Sequence, residues 1–385
     1  MGNTQTIKKF QKSFANKYPG QVIQFSIYGK QGYSVSKKYL GGGAFGAVWK
    51  GYRWDDMIPV AIKVIRPSLE MNDFQRKIIK SEVKVLEKLS MFPNCFPQIV
   101  CMYDFIEEKG EKGQEDKYYI VMELIEGTTI DGTYRSSQDL KNYLIDLSKG
   151  LAFIHDHGII HRDIKPANIL IDQKGMAKLV DLGLGCSSEK DVFSCEGTSG
   201  TERYLDPRFF LKEEGIKTAE FKSDIFSLGL TIYTVLSGDY ISNFAYKGKE
   251  EMINLYQQMK ISLESKRKDP FLTELVLKMI DPLNGENRPS AKELIVSLEK
   301  DYFVKLESSE SSTPRLDLVN LILTKAKQLQ SLSENQIDFK EYIDLAIVEV
   351  TAKGLQVSKD IKDKVWVKYQ KELKTVMHPG EQMFN

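Results

Sequence analysis

One short polar block constrains this chain more than any other part of its sequence. The block reads His161-Arg162-Asp163-Ile164-Lys165-Pro166-Ala167-Asn168, and an apolar run and then Asp181-Leu182-Gly183 follow it. It holds a carboxylate (Asp163), a lysine (Lys165) and an amide (Asn168) within six residues, and a hairpin would bring the carboxylate of Asp181 beside them. A base, a cation and oxygen ligands for magnesium are the groups that phosphoryl transfer uses. The fold must therefore bring these four side chains together.

Two further signals precede this block. Residues 41–48 read Gly-Gly-Gly-Ala-Phe-Gly-Ala-Val and fit the pattern GxGxxGxV, in which glycines let the backbone approach phosphates and adopt positive φ. By itself, this segment equally predicts a flexible hairpin. Residues 60–63 form an apolar strand that ends in Lys63, whose ammonium can neutralise phosphate charge. Glu82 follows within a helical run and is better placed than Glu87 to hold Lys63 as an ion pair.

Together, these blocks resemble the eukaryotic protein kinase family, serine/threonine type. The resemblance covers about residues 33–303. It continues with the end of the activation segment, the start of the buried central helix and the late arginine motif, at residues 200–208, 223–229 and 287–290. It implies an α+β, two-lobed fold with a small β-rich N-lobe and a larger α-helical C-lobe. It also implies ATP and magnesium as cofactors and proteins as substrates. The alternative is a pseudokinase that acts as a nucleotide-binding scaffold.

The resemblance assigns a role to each matching position. Asp163 would accept the proton of the substrate hydroxyl, and Lys165 would contact the γ-phosphate. Asn168 and Asp181 would hold magnesium. The ATP-binding positions would be Leu40, Gly41, Gly42, Gly43, Gly46, Val48, Ala61, Lys63, Glu82, Met122, Glu123, Ile125 and Leu170. Within that set, Met122 would guard the back of the adenine pocket, and residues 123–125 would form the hinge.

Two positions depart from the family pattern. Leu182 stands where Phe is usual, which leaves the metal ligand and the turn glycine intact. Arg208 stands where the family has a glutamate that pairs with the arginine matched by Arg288, and two guanidinium groups there would repel. Breaking such a buried pair costs several kcal/mol. We expect that Glu286, Asp206 or another acid re-pairs the site, or that the segment is looser than usual.

The activation segment also carries regulatory signals. Arg162 resembles the arginine of kinases in which a phosphate on the activation segment binds beside the catalytic loop. The candidate phosphate acceptors are Ser194, Thr198 and Ser199. The usual second basic partner is missing, because Cys186 stands there. Phosphorylation is therefore predicted to help activity without being obligatory.

Five positions bear on the substrate. Kinases that select arginine upstream of the acceptor present carboxylates at the positions matched here by Thr129, Ala167 and Thr234, none of which is acidic. Lys165 and Thr201 resemble their counterparts in enzymes that phosphorylate Ser and Thr. The sequence therefore predicts a Ser/Thr kinase that is not arginine-directed.

The two ends of the chain differ from its centre. Residues 1–32 form a basic amphipathic extension, whose start fits N-myristoylation at Gly2. The alternative is an unmodified terminus whose aromatic face packs on the kinase domain, which is assigned to residues 33–303. Residues 304–314 are predicted to be a Ser/Glu-rich linker, and residues 315–385 a helical module whose partner is unknown. Its first predicted apolar face comprises Leu316, Val319, Ile322, Leu323, Ala326 and Leu329.

Charge balance and cysteine content limit which ligands and which cellular compartment the protein is expected to have. Lys and Arg number 54 against 53 Asp and Glu, so no overall field attracts nucleic acid. The four cysteines show neither CxxC spacing nor nearby histidines, which favours free thiols in a reducing compartment. A redox switch between Cys186 and Cys195 is the less common alternative. The predicted location is therefore cytoplasmic, with membrane association through Gly2 as an addition.

Overall fold

The computed structural model describes most of the chain in two compact units, residues 1–295 and 296–385. The described residues are 2–43, 46–65, 73–91, 93–110, 116–133, 136–187, 194–211, 215–239, 244–266, 269–308, 319–327, 339–352 and 361–369. The first unit holds a β-rich lobe and a helical lobe, so the predicted two-lobed fold is confirmed. The domain boundaries given above stay predictions.

The N-lobe contains a six-stranded antiparallel sheet and, among the described residues, two long helices. Its strands are β1 (Ile23–Ile27), β2 (Tyr33–Gly43), β3 (Gly46–Arg53), β4 (Pro59–Ile65), β5 (Met102–Glu108) and β6 (Lys117–Glu123), in the order β1-β2-β3-β4-β6-β5. Helix α2 spans Asp73–Leu89. Strand β4 lies inside the sheet, and six of its seven residues are buried, which explains why it reads as one apolar run. This burial also fixes Lys63 within the lobe.

The N-terminal extension is built into this lobe. Helix α1 (Gly2–Lys17) forms where the apolar spacing predicts a helix. Its buried Phe10 and Phe14 pack against Tyr52, Trp54 and Met57 of the sheet and its turn. Strand β1 pairs with β2 in the same sheet. The structure thus has the packing expected of the alternative in which the aromatic face lies on the kinase domain.

The C-lobe is mainly helical. Its helices are α3 (Ile130–Thr133), α4 (Ser137–Asp156), α5 (Phe221–Ser237), α6 (Lys249–Ser265), α7 (Pro270–Met279) and α8 (Ala291–Ser308). A small antiparallel sheet contains β7 (Gly127–Thr129), β8 (Ile169–Asp172) and β9 (Ala177–Leu179). Helix α5 is buried along nearly its whole length and is followed by its capping residue Gly238, whose φ of 69° only glycine adopts at little cost. The central helix is therefore a fixed support for the loops around it.

The second unit has its own apolar core. Helices α9 (319–327), α10 (Phe339–Ala352) and α11 (361–369) bury Val319, Ile322, Leu323, Ala326, Phe339, Tyr342, Ile343, Ala346, Ile361 and Val365 together. Four of the six predicted apolar positions around α9 belong to this core, whereas Leu316 and Leu329 lie outside the described residues. Within the predicted linker, residues 304–308 continue α8, and residues 309–314 lie outside the described part.

The cysteines do not follow the expectation of free thiols. The structure pairs Cys95 with Cys101 and Cys186 with Cys195, with Cα–Cα distances of 5.3 and 5.1 Å, inside the usual range for disulfides. The Cys186–Cys195 pair is the one named from the sequence as the less common alternative, and the Cys95–Cys101 pair was missed, because sequence spacing does not show which thiols the loops bring together. Among the described helices, none combines the length and apolar character needed to cross a bilayer.

Candidate active site

The catalytic loop lies between α4 and β8 and is held by the central helix. The buried Asp224 of α5 accepts the backbone N–H groups of His161 and Arg162 at 2.8 and 2.9 Å, and pairs with His155 Nε2 at 2.9 Å. Burial opposes ionisation, but His155 holds the pKa of Asp224 below its usual value. Arg162 has a φ of 66°, which is rare for a non-glycine residue. The hydrogen bonds to Asp224 hold this turn, which presents Asp163.

The carboxylate of Asp163 is fixed by four side-chain and backbone donors. Its Oδ1 accepts the backbone N–H of Thr201 at 2.9 Å and the Thr201 hydroxyl at 2.7 Å. Its Oδ2 accepts Lys165 Nζ at 2.7 Å and Asn168 Nδ2 at 2.9 Å. Lys165 Nζ also donates to Thr201 Oγ1 at 2.7 Å. The Asp163 carboxylate, which is the predicted base, thus contacts both the cation Lys165 and the activation segment, and it is only 8% exposed.

Two oxygen ligands suited to a divalent cation lie beside this group. Asn168 uses Nδ2 for its bonds to Asp163, which leaves the amide oxygen Oδ1 for a cation. The Asp181 carboxylate is 47% exposed, so it is open to a ligand. Partial desolvation by the surrounding protein opposes ionisation of this carboxyl, yet the Lys63 ammonium holds the pKa of Asp181 below its usual value. Hard oxygen ligands of this kind fit magnesium.

Lys63 connects the two lobes of the site. Its Nζ lies 2.6 and 2.8 Å from the carboxylate oxygens of Glu82 on α2, and 3.1 Å from Asp181 Oδ1. Despite burial, these two carboxylates raise the pKa of Lys63, which therefore stays charged. The predicted pair of Lys63 with Glu82 is present. A fixed ammonium at this point fits a group that binds phosphate.

The glycine-rich segment forms the hairpin between β2 and β3. Gly41 faces Val48, Gly42 faces Ala47, and Gly43 faces Gly46 across the ladder. Gly41, Gly42 and Gly46 are absent from the glycines with positive φ, so that part of the expectation is wrong for them. Gly46 is needed for a different reason, because a Cβ there would lie 2.7 Å from the backbone oxygen of Val64. Close packing of β3 on β4 selects this glycine.

The adenine positions and the hinge come from both lobes. Leu40, Val48, Ala61 and Leu170 belong to β2, β3, β4 and β8, and Ala61 lies opposite Met122 in the sheet. The backbone N–H of Glu123 donates to the carbonyl of Cys101 at 2.8 Å. Ile125 follows β6 and is half-buried. The Glu123 side chain binds Lys178 of β9 at 2.7 and 2.8 Å, which ties the hinge to the C-lobe.

The structure explains the arginine at the end of the activation segment. Asp206 accepts both Arg288, at 2.6 and 3.2 Å, and Arg208, at 2.8 Å for the closest contact. Arg208 also binds Glu220 at 3.0 Å. Although burial opposes ionisation, the two guanidinium groups hold the pKa of Asp206 below its usual value. Of the acids considered from the sequence, Asp206 makes this pair. The carboxylate that binds Arg288 therefore lies two residues before position 208, where the family has its glutamate.

Sequence reasoning missed three residues that support the site. Asp224 lies in a quoted motif, but its bonds to the catalytic loop depend on how α5 packs. Glu220 and Lys178 carry no sequence signal, because each meets its partner only through tertiary contacts. Hydrogen bonds join Lys63 to Glu82 and Asp181, and Asp163 to Lys165 and Asn168. The individual roles of the predicted site residues stay predictions.

Comparison with known proteins decides the family. The sequence matches the family described as protein kinase domain over residues 34–327, more than half of the chain. The chain belongs to the protein kinase family.

Three curated relatives of this kinase illustrate the similarity. A probable serine/threonine-protein kinase PknB of Bifidobacterium longum is 30% identical over 190 residues, which cover 46% of this chain and 26% of that protein. The serine/threonine-protein kinase PrkC of Bacillus subtilis is 33% identical over 212 residues, 52% of this chain and 30% of that protein. A probable serine/threonine-protein kinase of Dictyostelium discoideum is 27% identical over 318 residues, 80% of this chain and 58% of that protein. This kinase therefore spans less than two thirds of each relative.

Proposed function

We propose that this chain is an ATP-dependent protein kinase that transfers the γ-phosphate to Ser and Thr hydroxyls of proteins. One observation carries the proposal: the Asp163 carboxylate lies within hydrogen-bond distance of Lys165, Asn168 and the activation-segment residue Thr201. The printed names of the relatives, which are serine/threonine-protein kinases, support the same class. The family uses ATP and magnesium generally.

The residues of the cleft divide the reaction between them. Bound ATP with magnesium would supply the phosphoryl group and neutralise charge on its oxygens. Asp163 orients the substrate hydroxyl and takes its proton, while Lys165 places a positive charge beside the transferred group. Asn168 and Asp181 would hold the cation, and Lys63, fixed by Glu82, would bind the other phosphates. Catalysis by positioning and charge of this kind needs no covalent intermediate on the protein.

A pseudokinase is the weaker alternative. Such a scaffold keeps the fold but loses a group that turnover requires. Here the base, the cation beside it and both metal ligands are present. The unusual Arg208 also has carboxylate partners, which removes the reason for a loosened segment. Turnover is therefore the better proposal.

The substrate preference follows from what the cleft lacks. Thr129, Ala167 and Thr234 offer no carboxylate to an upstream arginine. A charge-assisted hydrogen bond contributes about 1.5 to 3 kcal/mol, or roughly tenfold to hundredfold in preference, which would be missing at each position. A positional-scanning peptide library with Ser, Thr or Tyr as acceptor tests this. We expect Ser and Thr to be phosphorylated without selection for arginine. Preference for Tyr, or for arginine two or three residues upstream, would contradict the proposal.

The location belongs to the same proposal. A cytoplasmic kinase with an acylated Gly2 would reach membranes through the acyl chain and through exposed lysines of α1, since its aromatic face is already buried. Gly2→Ala should then move the protein from the membrane to the soluble fraction, and high salt should weaken the binding. If wild-type protein is found in the soluble fraction at both low and high salt, the proposal of membrane association is wrong, and the kinase proposal is unaffected.

A further inference from the structure

The Cys186–Cys195 disulfide joins two segments that flank the catalytic loop. Cys186 exchanges two backbone hydrogen bonds of 2.9 Å with Ile160, just before the loop. On the other side, the carbonyl of Cys195 accepts the N–H of Ala219 at 2.8 Å. Both cysteines belong to one small apolar cluster with Ile160, Ala219 and Phe209. The bond therefore ties the start of the activation segment to its later part.

Arg162 bridges the same two segments without a covalent bond. Its Nε donates to the carbonyl of Leu184 at 2.7 Å, and its Nη1 donates to the carbonyl of Ser194 at 3.1 Å. Leu184 lies two residues before Cys186, and Ser194 lies directly before Cys195. Arg162 is only 7% exposed, and this burial lowers its pKa to about 10. The guanidinium position thus depends on both ends of the disulfide-closed segment.

A short stretch of chain leads from the disulfide to the catalytic carboxylate. The N–H of Gly197 donates to the carbonyl of Lys217 at 2.8 Å. Gly200 passes so close to Arg162 that a Cβ there would lie 2.2 Å from the Arg162 carbonyl oxygen. The next residue is Thr201, which gives two hydrogen bonds to Asp163. A shift of Cys195 would therefore reach Asp163 through residues 197–201 and through Arg162.

We propose that the Cys186–Cys195 disulfide is a redox-controlled clasp, whose oxidised form holds the activation segment in the arrangement that supports catalysis. Cys186 stands where kinases of the resembled type place a second basic partner for an activating phosphate, so the clasp would replace that link. The inference rests on the proposed function for its activity readout. In a reducing compartment such a bond would be transient, which suits a regulatory role.

The chemistry of the clasp is thiol–disulfide exchange with a small-molecule disulfide. One thiolate attacks the small disulfide and releases one small thiol, and the second thiolate then displaces the other. One S–S bond breaks, one forms, and the two cysteine protons end on the released thiols. The cysteines lie nine positions apart, and closing a loop of that size favours the arrangement that keeps the two cysteines together by on the order of a hundredfold over the reduced chain.

The test compares wild-type protein, Cys195→Ser and the matched control Cys95→Ser, each oxidised with oxidised glutathione or reduced with dithiothreitol. Cys95→Ser removes the other disulfide and leaves the clasp. Peptide mapping under non-reducing conditions reports the bonds, hydrogen–deuterium exchange over residues 194–201 reports order, and peptide phosphorylation reports activity. We expect reduction to lower activity at least severalfold and to speed exchange at Thr201 in wild type and Cys95→Ser. Cys195→Ser should have the low activity and fast exchange in both conditions.

Two results would contradict the proposal that the Cys186–Cys195 disulfide controls the activation segment. One is a mapped Cys186–Cys195 bond whose reduction changes neither exchange nor activity; another is free thiols after oxidation. If wild type has no activity in either state, the proposed function fails, while mapping and exchange still decide whether the bond orders the segment. If Cys195→Ser does not fold, the comparison of oxidised with reduced wild type gives the same decision.

Discussion

At the scale of single residues, the arginine that departs from the family pattern is the most informative case. The sequence left Glu286, Asp206 and another acid open as partners, because a charge does not reveal its neighbours. The structure gives one buried aspartate, Asp206, to both Arg288 and Arg208, and a second acid, Glu220, to Arg208. The arginines are thus matched by two carboxylates.

This pairing predicts that an acid at position 208 can restore the stability that is lost when Asp206 is removed. Asp206→Ala alone should lower the free energy of unfolding by about 3 to 5 kcal/mol, because it leaves two guanidinium groups without their shared partner. Adding Arg208→Glu should restore much of that loss, since it removes one arginine and returns an acid close to Arg288. Denaturant unfolding followed by circular dichroism measures both variants. A double variant no more stable than Asp206→Ala would contradict this account.

The lowered pKa of Asp206 predicts that the free energy of unfolding depends on pH. Because the pKa of Asp206 is lower in the folded protein than its usual value of about 3.8, its contribution to stability is present above that value. The contribution is lost as the pH falls through the lower, folded pKa. Wild type should therefore lose stability below about pH 4 more steeply than Asp206→Asn does. Parallel curves of unfolding free energy against pH would refute the assignment.

At the scale of elements, helix α1 shows what amphipathic spacing can predict. Steps of three and four between apolar residues gave the helix, and the same rule gave the core positions of α9, because a helix repeats locally. Strand β1 and the Cys95–Cys101 pair were not predicted, and the Cys186–Cys195 pair was given only as the less common alternative, since strand pairing and thiol pairing join residues that loops bring together. In the site, motif spacing gave Asp163 and Lys63, whereas Asp224 depends on packing.

The packing of α1 predicts that the extension stabilises the N-lobe. Phe14 is 3% exposed and its ring centroid lies 5.0 Å from that of Tyr52. Phe14→Ala should lower the free energy of unfolding by about 3 to 5 kcal/mol, because it leaves a cavity in this cluster. Lys12→Ala on the exposed side of the helix is the matched control and should change it by less than about 0.5 kcal/mol. Equal stability of the two variants in thermal unfolding would show that α1 is not part of the core.

At the scale of the whole molecule, the two compact units predict independent folding. Helices α9 to α11 of the second unit bury their own set of apolar residues, so removing these helices should leave the first unit's core complete. Deletion from Ser312 onward should therefore give a soluble kinase with a melting temperature and peptide phosphorylation close to those of the full chain. An insoluble or inactive truncated protein would mean that the helical module is an integral part of the kinase fold.

We propose above that the protein transfers the γ-phosphate of ATP to Ser and Thr hydroxyls with Asp163 as the base. The most direct test of this proposal is single-turnover transfer from γ-labelled ATP to a serine peptide with magnesium, for wild type, Asp163→Asn and the matched control Asp156→Asn. Asp156 at the end of α4 is 53% exposed and pairs with Lys292 of α8 at 2.7 Å. We expect transfer by wild type and Asp156→Asn, and a rate about 10² to 10⁴ times lower for Asp163→Asn at an unchanged melting temperature. Transfer by Asp163→Asn at the wild-type rate, or none by folded wild type, would contradict the account.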